Sequence, residues 1–150
     1  MALHFDIANE QKAPQDLARI GLDDIRLLDA LAGFDPYGAW RLDIQKGLAY
    51  WSEDVFRIHE MPINVGEPVD LTAAINAYHP DDRSHVIECI EEAAKKRSGF
   101  RFVLRLLGES GETRLVKSTG RFRINAKGEQ ELYGTFSLFQ TAIRSVIIGK

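Results

Sequence analysis

The final third of the chain consists of three strand-forming segments joined by short turns. In "GFRFVLRL" every second residue is large and apolar, the period-two pattern of a strand with one buried face. "GESGE" and "NAKGE" are turn sequences, and "TRLVKSTGRFRI" and "QELYGTFSLFQT" continue as two more strands. Connections this short place the three strands side by side and antiparallel. We therefore expect an antiparallel sheet against which the rest of the chain packs.

Two shorter strand-like runs lie upstream, Ala39 to Ile44 and Leu48 to Trp51, with "DIQKG" as a tight turn between them. Ser52 follows as the expected N-cap of a short helix. Further helical segments precede the three long strands. The economical assembly is an α+β fold in which a five-stranded antiparallel sheet has its helices inserted between strands 2 and 3.

The N-terminal region predicts an amphipathic helix between Gln15 and Ala32, with a break or two short helices at Gly21. Its apolar stripe must pack either on the rest of the domain or on a second subunit. The candidate interface residues are Leu17, Ile20, Leu28 and Leu31.

The hexapeptide "YHPDDR" has two interpretations. His79, Asp81, Asp82 and the nearby His85 could serve an active site or bind a metal, but their spacing enforces no coordination geometry. Alternatively, Pro80 occupies the first helical position and the two aspartates lie at the positive end of the helix dipole, both solvated. We favour a helix start over an enzyme that uses His79 or Asp81.

Composition limits the class of protein. A chain of 150 residues has the size of one domain, and a net charge of −3 disfavours nucleic acid and anionic lipid as partners. The single cysteine, Cys89, excludes an internal disulfide and a Cys-rich zinc site. The N-terminus lacks a signal-peptide pattern and no segment is long enough to span a bilayer, so the expected location is the cytoplasm, without membrane attachment.

The order of these pieces resembles a bacterial PAS (Per-Arnt-Sim) sensor domain with a tryptophan in its first strand. The matching segments are "GAWRLD", "LAYWSEDVFRIHEM", "YHPDDR" and the run from "GFRFVL" to "LYGTF", from about Gly38 to Phe136. The resemblance implies a PAS fold over residues 38–141, an N-terminal extension over 1–37 and a tail over 142–150. It also implies a stand-alone, non-enzymatic signalling protein, in which "HPDD" lies at the turn into the long helix.

In that family the sheet and helices enclose a pocket that holds haem, flavin, a metabolite or nothing. The flavin photoreceptor motif Asn-Cys-Arg-Phe-Leu-Gln is absent, and haem would need His85, so no cofactor is predicted. A colourless small molecule and a simply filled core both stay open. The candidate pocket residues are Trp40, Trp51, Phe56, Phe102, Ser118, Phe122, Tyr133 and Phe136.

The resemblance implies output through a homodimer, formed by the N-terminal helix and a sheet face, or through an unidentified signalling partner. The family's usual Asp-Ile-Thr after the last strand is replaced by Leu138, Phe139 and Gln140. Nucleic-acid binding is disfavoured because no recognition helix and no aromatic interleaving are expected on the basic sheet face. That face is predicted to carry Arg101, Arg105, Lys117, Arg121 and Arg123.

Overall fold

One antiparallel sheet organises the chain, whose computed structural model describes residues 2–6, 12–140 and 144–149. The strands are β1 (Tyr37–Asp43), β2 (Leu48–Trp51), β3 (Val69–Asp70), β4 (Gly99–Leu107), β5 (Thr113–Ile124) and β6 (Gln130–Leu138). The helices are α1 (Asp24–Leu31), α2 (Glu53–Ile58), α3 (Leu71–Asn76) and α4 (Arg83–Lys96), with 3-10 turns at Ala18–Ile20 and Pro80–Asp82. The predicted boundary between residues 141 and 142 lies outside the described residues. None of the described helices has the length and apolarity that crossing a membrane requires.

The sheet order is β3-β2-β1-β6-β5-β4, with every neighbouring pair antiparallel. The predicted α+β fold and the closing three-strand meander are confirmed. The predicted number of five strands is wrong, because Val69 and Asp70 add a sixth beside Ala49 and Leu48 of β2. A strand of two residues is too short to show a period in sequence.

The N-terminal region breaks at Gly21, as predicted. Gly21 takes a left-handed conformation with φ of 76° and ends the first 3-10 turn. Helix α1 then begins after Asp23, whose side chain accepts the backbone N–H of Arg26 at 2.8 Å. The helix lies beside β1. Of the predicted interface residues, Leu17 and Leu28 are half-buried, whereas Ile20 and Leu31 are exposed.

Two glycines create space at the centre of the inner sheet face. Gly120 of β5 and Gly134 of β6 are paired in register, flanked by Phe100 of β4 and Trp40 of β1. The rings of Trp40 and Phe100 stack across this gap with centroids 6.0 Å apart. A Cβ on Gly120 would lie 2.6 Å from the Phe100 ring and 2.8 Å from the Trp40 ring. The glycines therefore let two aromatic side chains lie close against the sheet.

"YHPDDR" opens the long helix, but one of its aspartates is not solvated. The ring of His79 caps the turn by accepting the Asp81 N–H at 3.1 Å. Asp82 is only 6% exposed, and its two carboxylate oxygens accept hydrogen bonds from Nη2 and Nε of Arg105 at 2.8 and 3.0 Å. A third bond, at 2.9 Å, comes from the backbone N–H of Arg105. The prediction for Asp82 was wrong because its partner lies on β4, 23 residues away.

The Arg105 side chain also sets the charge state of Asp82. Its hydrogen bonds to the carboxylate, more than its charge alone, hold the pKa of Asp82 below the ordinary value of 3.8. Among the described residues, no three His, Cys, Asp or Glu side chains come together as metal ligands. The predicted alternative of a metal site around His79 and His85 therefore has no support in the described geometry.

Candidate ligand cavity

A cavity of about 70 Å³ lies between the inner sheet face and the helices. Its walls come from β1, β2, β4, β5 and β6 on one side and from α2, α3 and α4 on the other. Most of the lining is aliphatic or aromatic, and no Asp, Glu, Lys or Arg of the described chain contributes to it. Apolar walls with a few polar groups are the usual composition of small-molecule sites.

The structure brings five of the eight predicted pocket residues to this cavity. The β1 and β2 tryptophans form one wall, and β4, β5 and β6 each add one inward-facing residue, as strand alternation requires. These five are Trp40, Trp51, Phe102, Ser118 and Phe136.

The other three predicted residues do not line the cavity. Tyr133 follows the buried Leu132 along β6, so its side chain lies on the opposite face of the sheet. Phe56 is buried on α2 in edge contact with the Trp51 ring, 5.2 Å between centroids. Phe122 lies near the far end of β5, where the Arg97 guanidinium is 5.6 Å from its ring.

His59, the residue that follows α2, is the polar group that sequence reasoning missed. Its ring is stacked between Trp51 at 4.2 Å and Phe136 at 4.9 Å, and the residue is only 4% exposed. The two aromatic neighbours belong to β2 and β6, so the sequence around His59 did not reveal them. A usable signal was its spacing of four residues from the buried Val55 on a predicted helix, which places both on the same face.

The protonation state of His59 follows from its surroundings. Nδ1 lies 2.7 Å from the carbonyl oxygen of Val55, which can only accept, so Nδ1 carries the proton. Burial lowers the pKa of His59 to about 4; the bond to Val55 opposes this shift and the positive charge of Arg114 adds to it. His59 is therefore neutral at neutral pH, with an unprotonated Nε2.

Two tryptophans and two hydroxyl residues add further polar groups to the lining. The indole N–H of Trp40 donates to the backbone oxygen of Thr135 at 3.0 Å, and that of Trp51 donates to no described residue. Ser118 Oγ donates to the backbone oxygen of Thr135 at 3.3 Å. The hydroxyl of Tyr78 forms no hydrogen bond with any described residue, and burial, with a smaller contribution from Cys89, raises its pKa. Tyr78 therefore stays protonated and can both donate and accept.

Helix α2 connects this cavity to the start of β1. Ser52 was predicted to cap α2, but its Oγ accepts the N–H of Ala39 at 2.8 Å instead. Asp54 accepts the N–H of Tyr37 at 2.9 Å. Between these bonds Gly38 packs so tightly on Val55 that an added Cβ would lie 2.5 Å from its Cγ2. The start of α2 is thus bonded to the start of β1, and the end of α2 leads into His59.

The outer sheet face is less uniformly basic than predicted. Arg41 stacks over Tyr50 at 4.2 Å and Arg123 stacks over Tyr133 at 4.3 Å. Between them Glu131, only 1% exposed, accepts hydrogen bonds from both guanidinium groups, at 3.3 and 2.6 Å. The expectation that this face lacks interleaved aromatic residues was therefore wrong.

Comparison with known proteins identifies this architecture. The family model described as the PAS fold matches residues 48–136. A sensory box histidine kinase/response regulator of Burkholderia thailandensis is similar over 77% of this chain and 84% of its own, with 22% identity and a TM-score of 0.58. The N-terminal domain of a diguanylate cyclase with PAS/PAC sensor from Marinobacter aquaeolei matches over 67% and 92%, with 16% identity and a TM-score of 0.57.

A more distant solved structure is the PAS-B domain of Drosophila melanogaster Cycle with bound ethylene glycol. It covers 68% of this chain and 99% of its own, with 12% identity and a TM-score of 0.54. No curated protein matches the chain. These structural matches share the fold, and the family model spans more than half of the 150 residues. The resemblance seen in the sequence is confirmed: the chain belongs to the PAS family.

Proposed function

We propose that this protein is a non-enzymatic sensor whose core cavity takes a small molecule and whose output passes through protein–protein contacts. The observation that carries the proposal is the cavity itself, with apolar walls and a few polar groups, among them those of His59, Tyr78 and Ser118. Membership of the PAS family supports it, as does the ethylene glycol bound in the Cycle domain. Asp82 is bonded to Arg105, so it is not poised beside Asp81 for acid–base chemistry.

The volume of the cavity limits the size of the ligand. A cavity of 70 Å³ is small beside the roughly 300–1,000 Å³ of ordinary small-molecule pockets, so it suits a molecule of only a few non-hydrogen atoms. Haem and flavin are far larger and would need the walls to move apart, and His85, the predicted haem ligand, does not line the cavity. These points favour a colourless small molecule over the cofactor alternative.

Small size also limits affinity. The best tiny ligands gain about 1.5 kcal/mol per non-hydrogen atom, which for about five atoms corresponds to a Kd no tighter than a few micromolar. A ligand this weak dissociates during purification, so the protein must be titrated with the added molecule.

Filling the cavity should abolish binding. Ala74 lines the cavity from α3, whereas its neighbour Ala73 is exposed. We expect 1-butanol at millimolar concentration to shift the NMR signals of the Trp40 and Trp51 indole N–H groups in the native protein and in Ala73→Met. The shifts should disappear in Ala74→Met, because the longer side chain occupies the space. Unchanged shifts in a folded Ala74→Met protein would contradict binding in the cavity.

The proposed output surface is the N-terminal region. Ile20, Ile25, Leu31 and Phe34 are between 53% and 74% exposed, an apolar surface that a second copy of the chain or a signalling partner would cover. We propose a homodimer. The cytoplasmic location and the lack of nucleic-acid and membrane partners stay predictions.

An acidic substitution should dissociate that dimer. Ile25→Asp places a charge at the most exposed apolar position of α1, so we expect sedimentation velocity to show a shift from dimer to monomer. Ala30→Asp, on the polar side of the same helix, is the matched control and should stay dimeric. Equal sedimentation of both variants as dimers would exclude this face as the interface.

The bond between Ser52 and Ala39 should hold the start of β1. Ser52→Ala removes one part-buried hydrogen bond, so we expect a loss of about 1 kcal/mol and about fivefold faster amide exchange at Ala39. Ser84→Ala, at an exposed serine in the first turn of α4, should change neither quantity. Hydrogen exchange followed by NMR measures both. Unchanged exchange at Ala39 in Ser52→Ala would show that this bond does not anchor β1.

A further inference from the structure

We infer that the cavity selects a neutral molecule that donates a hydrogen bond to Nε2 of His59, such as a small alcohol or amide. This inference rests on the proposed function, since it names the chemical class of ligand for the same cavity. It follows from which polar atoms of the lining are already bonded and which are not.

His59 carries a hydrogen-bond acceptor that has no partner among the described residues. Because Nδ1 donates to Val55, Nε2 has a lone pair and no hydrogen. Both faces of the ring are covered, by Trp51 and Phe136, so the ring edge is the part left to line the cavity. No described residue bonds to Nε2. Among the described residues, only Nε of Arg114 is both unpaired and sealed from water, so the unpaired Nε2 of His59 keeps some accessible surface.

The other polar side chains of the lining differ in what they can still bond. Ser118 has used its hydrogen on Thr135, so only its lone pairs remain to face a ligand. The hydroxyl of Tyr78 can either donate or accept a hydrogen bond. The lining thus offers acceptors at His59 and Ser118 and donors at the Tyr78 hydroxyl and the Trp51 indole N–H, whereas the indole N–H of Trp40 already donates to the backbone oxygen of Thr135 at 3.0 Å. A ligand without a donor would displace water from Nε2 and leave that acceptor unpaired. The free-energy cost of the lost hydrogen bond would weaken the binding of such a ligand.

The charges around the cavity disfavour an ionic ligand. No charged side chain of the described residues lines the cavity, so an ion entering it would lose its hydration without gaining a counter-ion. Arg114, whose positive charge acts on His59, adds repulsion against a cation at Nε2. A carboxylate or other anion has no hydrogen to offer to Nε2. Neutral donors are therefore the class that suits the site.

Three probes with equal numbers of non-hydrogen atoms separate these requirements: 1-butanol, methyl propyl ether and n-butylammonium. We expect 1-butanol to bind about tenfold more tightly than the ether, which has no donor, and n-butylammonium to give no saturable response. Binding is followed by the indole N–H signals of the two tryptophans. In the imidazole ¹⁵N spectrum, the Nε2 signal of His59 should move upfield when 1-butanol is added and should not move with either of the other two probes.

A variant removes the acceptor while keeping the aromatic stack. In His59→Phe we expect the affinity for 1-butanol to fall about tenfold, to that of the ether, and the affinity for the ether to stay unchanged. His85→Phe, at a histidine that does not line the cavity, should retain the native preference. If His59→Phe does not fold, the three-probe comparison and the Nε2 signal of the native protein decide the question alone.

The outcomes separate this inference from the proposed function. Equal binding of 1-butanol and the ether, with no movement of the Nε2 signal, would overturn the donor requirement and leave a ligand-binding cavity in place. Tightest binding of n-butylammonium would overturn the requirement for a neutral ligand. No saturable response to any of the three probes would overturn the proposed function together with this inference.

Discussion

Gly134→Ala should prevent folding or cost more than about 4 kcal/mol of unfolding free energy. A Cβ at this position would overlap the carbonyl oxygen of Thr119 and lie 2.9 Å from Cα of Gly120. Both are backbone atoms of β5, so relief would require β5 and β6 to separate. Since β6 is bonded to β1 on its other side, the separation would divide the sheet. Urea unfolding followed by circular dichroism measures the loss.

Gly33→Ala is the matched control for this prediction. Its added Cβ would meet carbonyl oxygens of α1 at 3.5 Å, an ordinary contact, and its conformation does not require glycine. We expect its unfolding free energy to stay within about 0.5 kcal/mol of that of the native protein. A Gly134→Ala protein with native stability would contradict the pairing of Gly134 with Gly120.

Asp82→Ala should cost about 2 kcal/mol. The change removes three hydrogen bonds and leaves the backbone N–H of Arg105 without its partner. Asp81→Ala, at a neighbouring side chain that is 79% exposed, should cost less than about 0.5 kcal/mol. Equal stability of the two variants in urea would show that the Asp82 contacts contribute nothing.

The same contact predicts a pH dependence. Because Arg105 lowers the pKa of Asp82 below 3.8, the carboxylate stabilises the fold fully above that value. This contribution is lost as the pH falls through the lower pKa of the folded protein. Asp82→Asn has no such carboxylate, so the stability difference between the native protein and this variant should shrink under acid conditions. A difference that stays constant from neutral to strongly acidic pH would contradict the assignment.

Local patterns were sufficient for most of the fold. Alternation in β4 and the short turns after it predicted both the strands and their pairing, because these are contacts between neighbours in sequence. The two-residue β3 has no period to detect. An isolated glycine within a strand pattern indicates close packing against the backbone. Gly120 and Gly134 are examples, but the predictions from the sequence did not include this packing.

The cavity residues were harder to predict, because the cavity is formed by segments that are distant in sequence. Trp40, Trp51 and Phe102 could be proposed because large aromatic residues on inward strand positions face the core. Tyr133 was misplaced because its strand face depends on register, and a shift of one residue exchanges the two faces. His59 was missed because its stacking partners lie on separate strands.

The hydrogen bonds around "YHPDDR" also affect whether a strand of another molecule can pair with the edge of the sheet. β4 is an edge strand, and such edges pair readily with exposed strands of other molecules. Here the outward N–H of Arg105 bonds to Asp82, its carbonyl accepts the N–H of His79 at 2.9 Å, and Leu107 donates to Ala77 at 2.8 Å. This half of the edge is therefore closed to strand addition. Residues of the hexapeptide thus occupy backbone groups of β4 with which a strand of another molecule would otherwise pair.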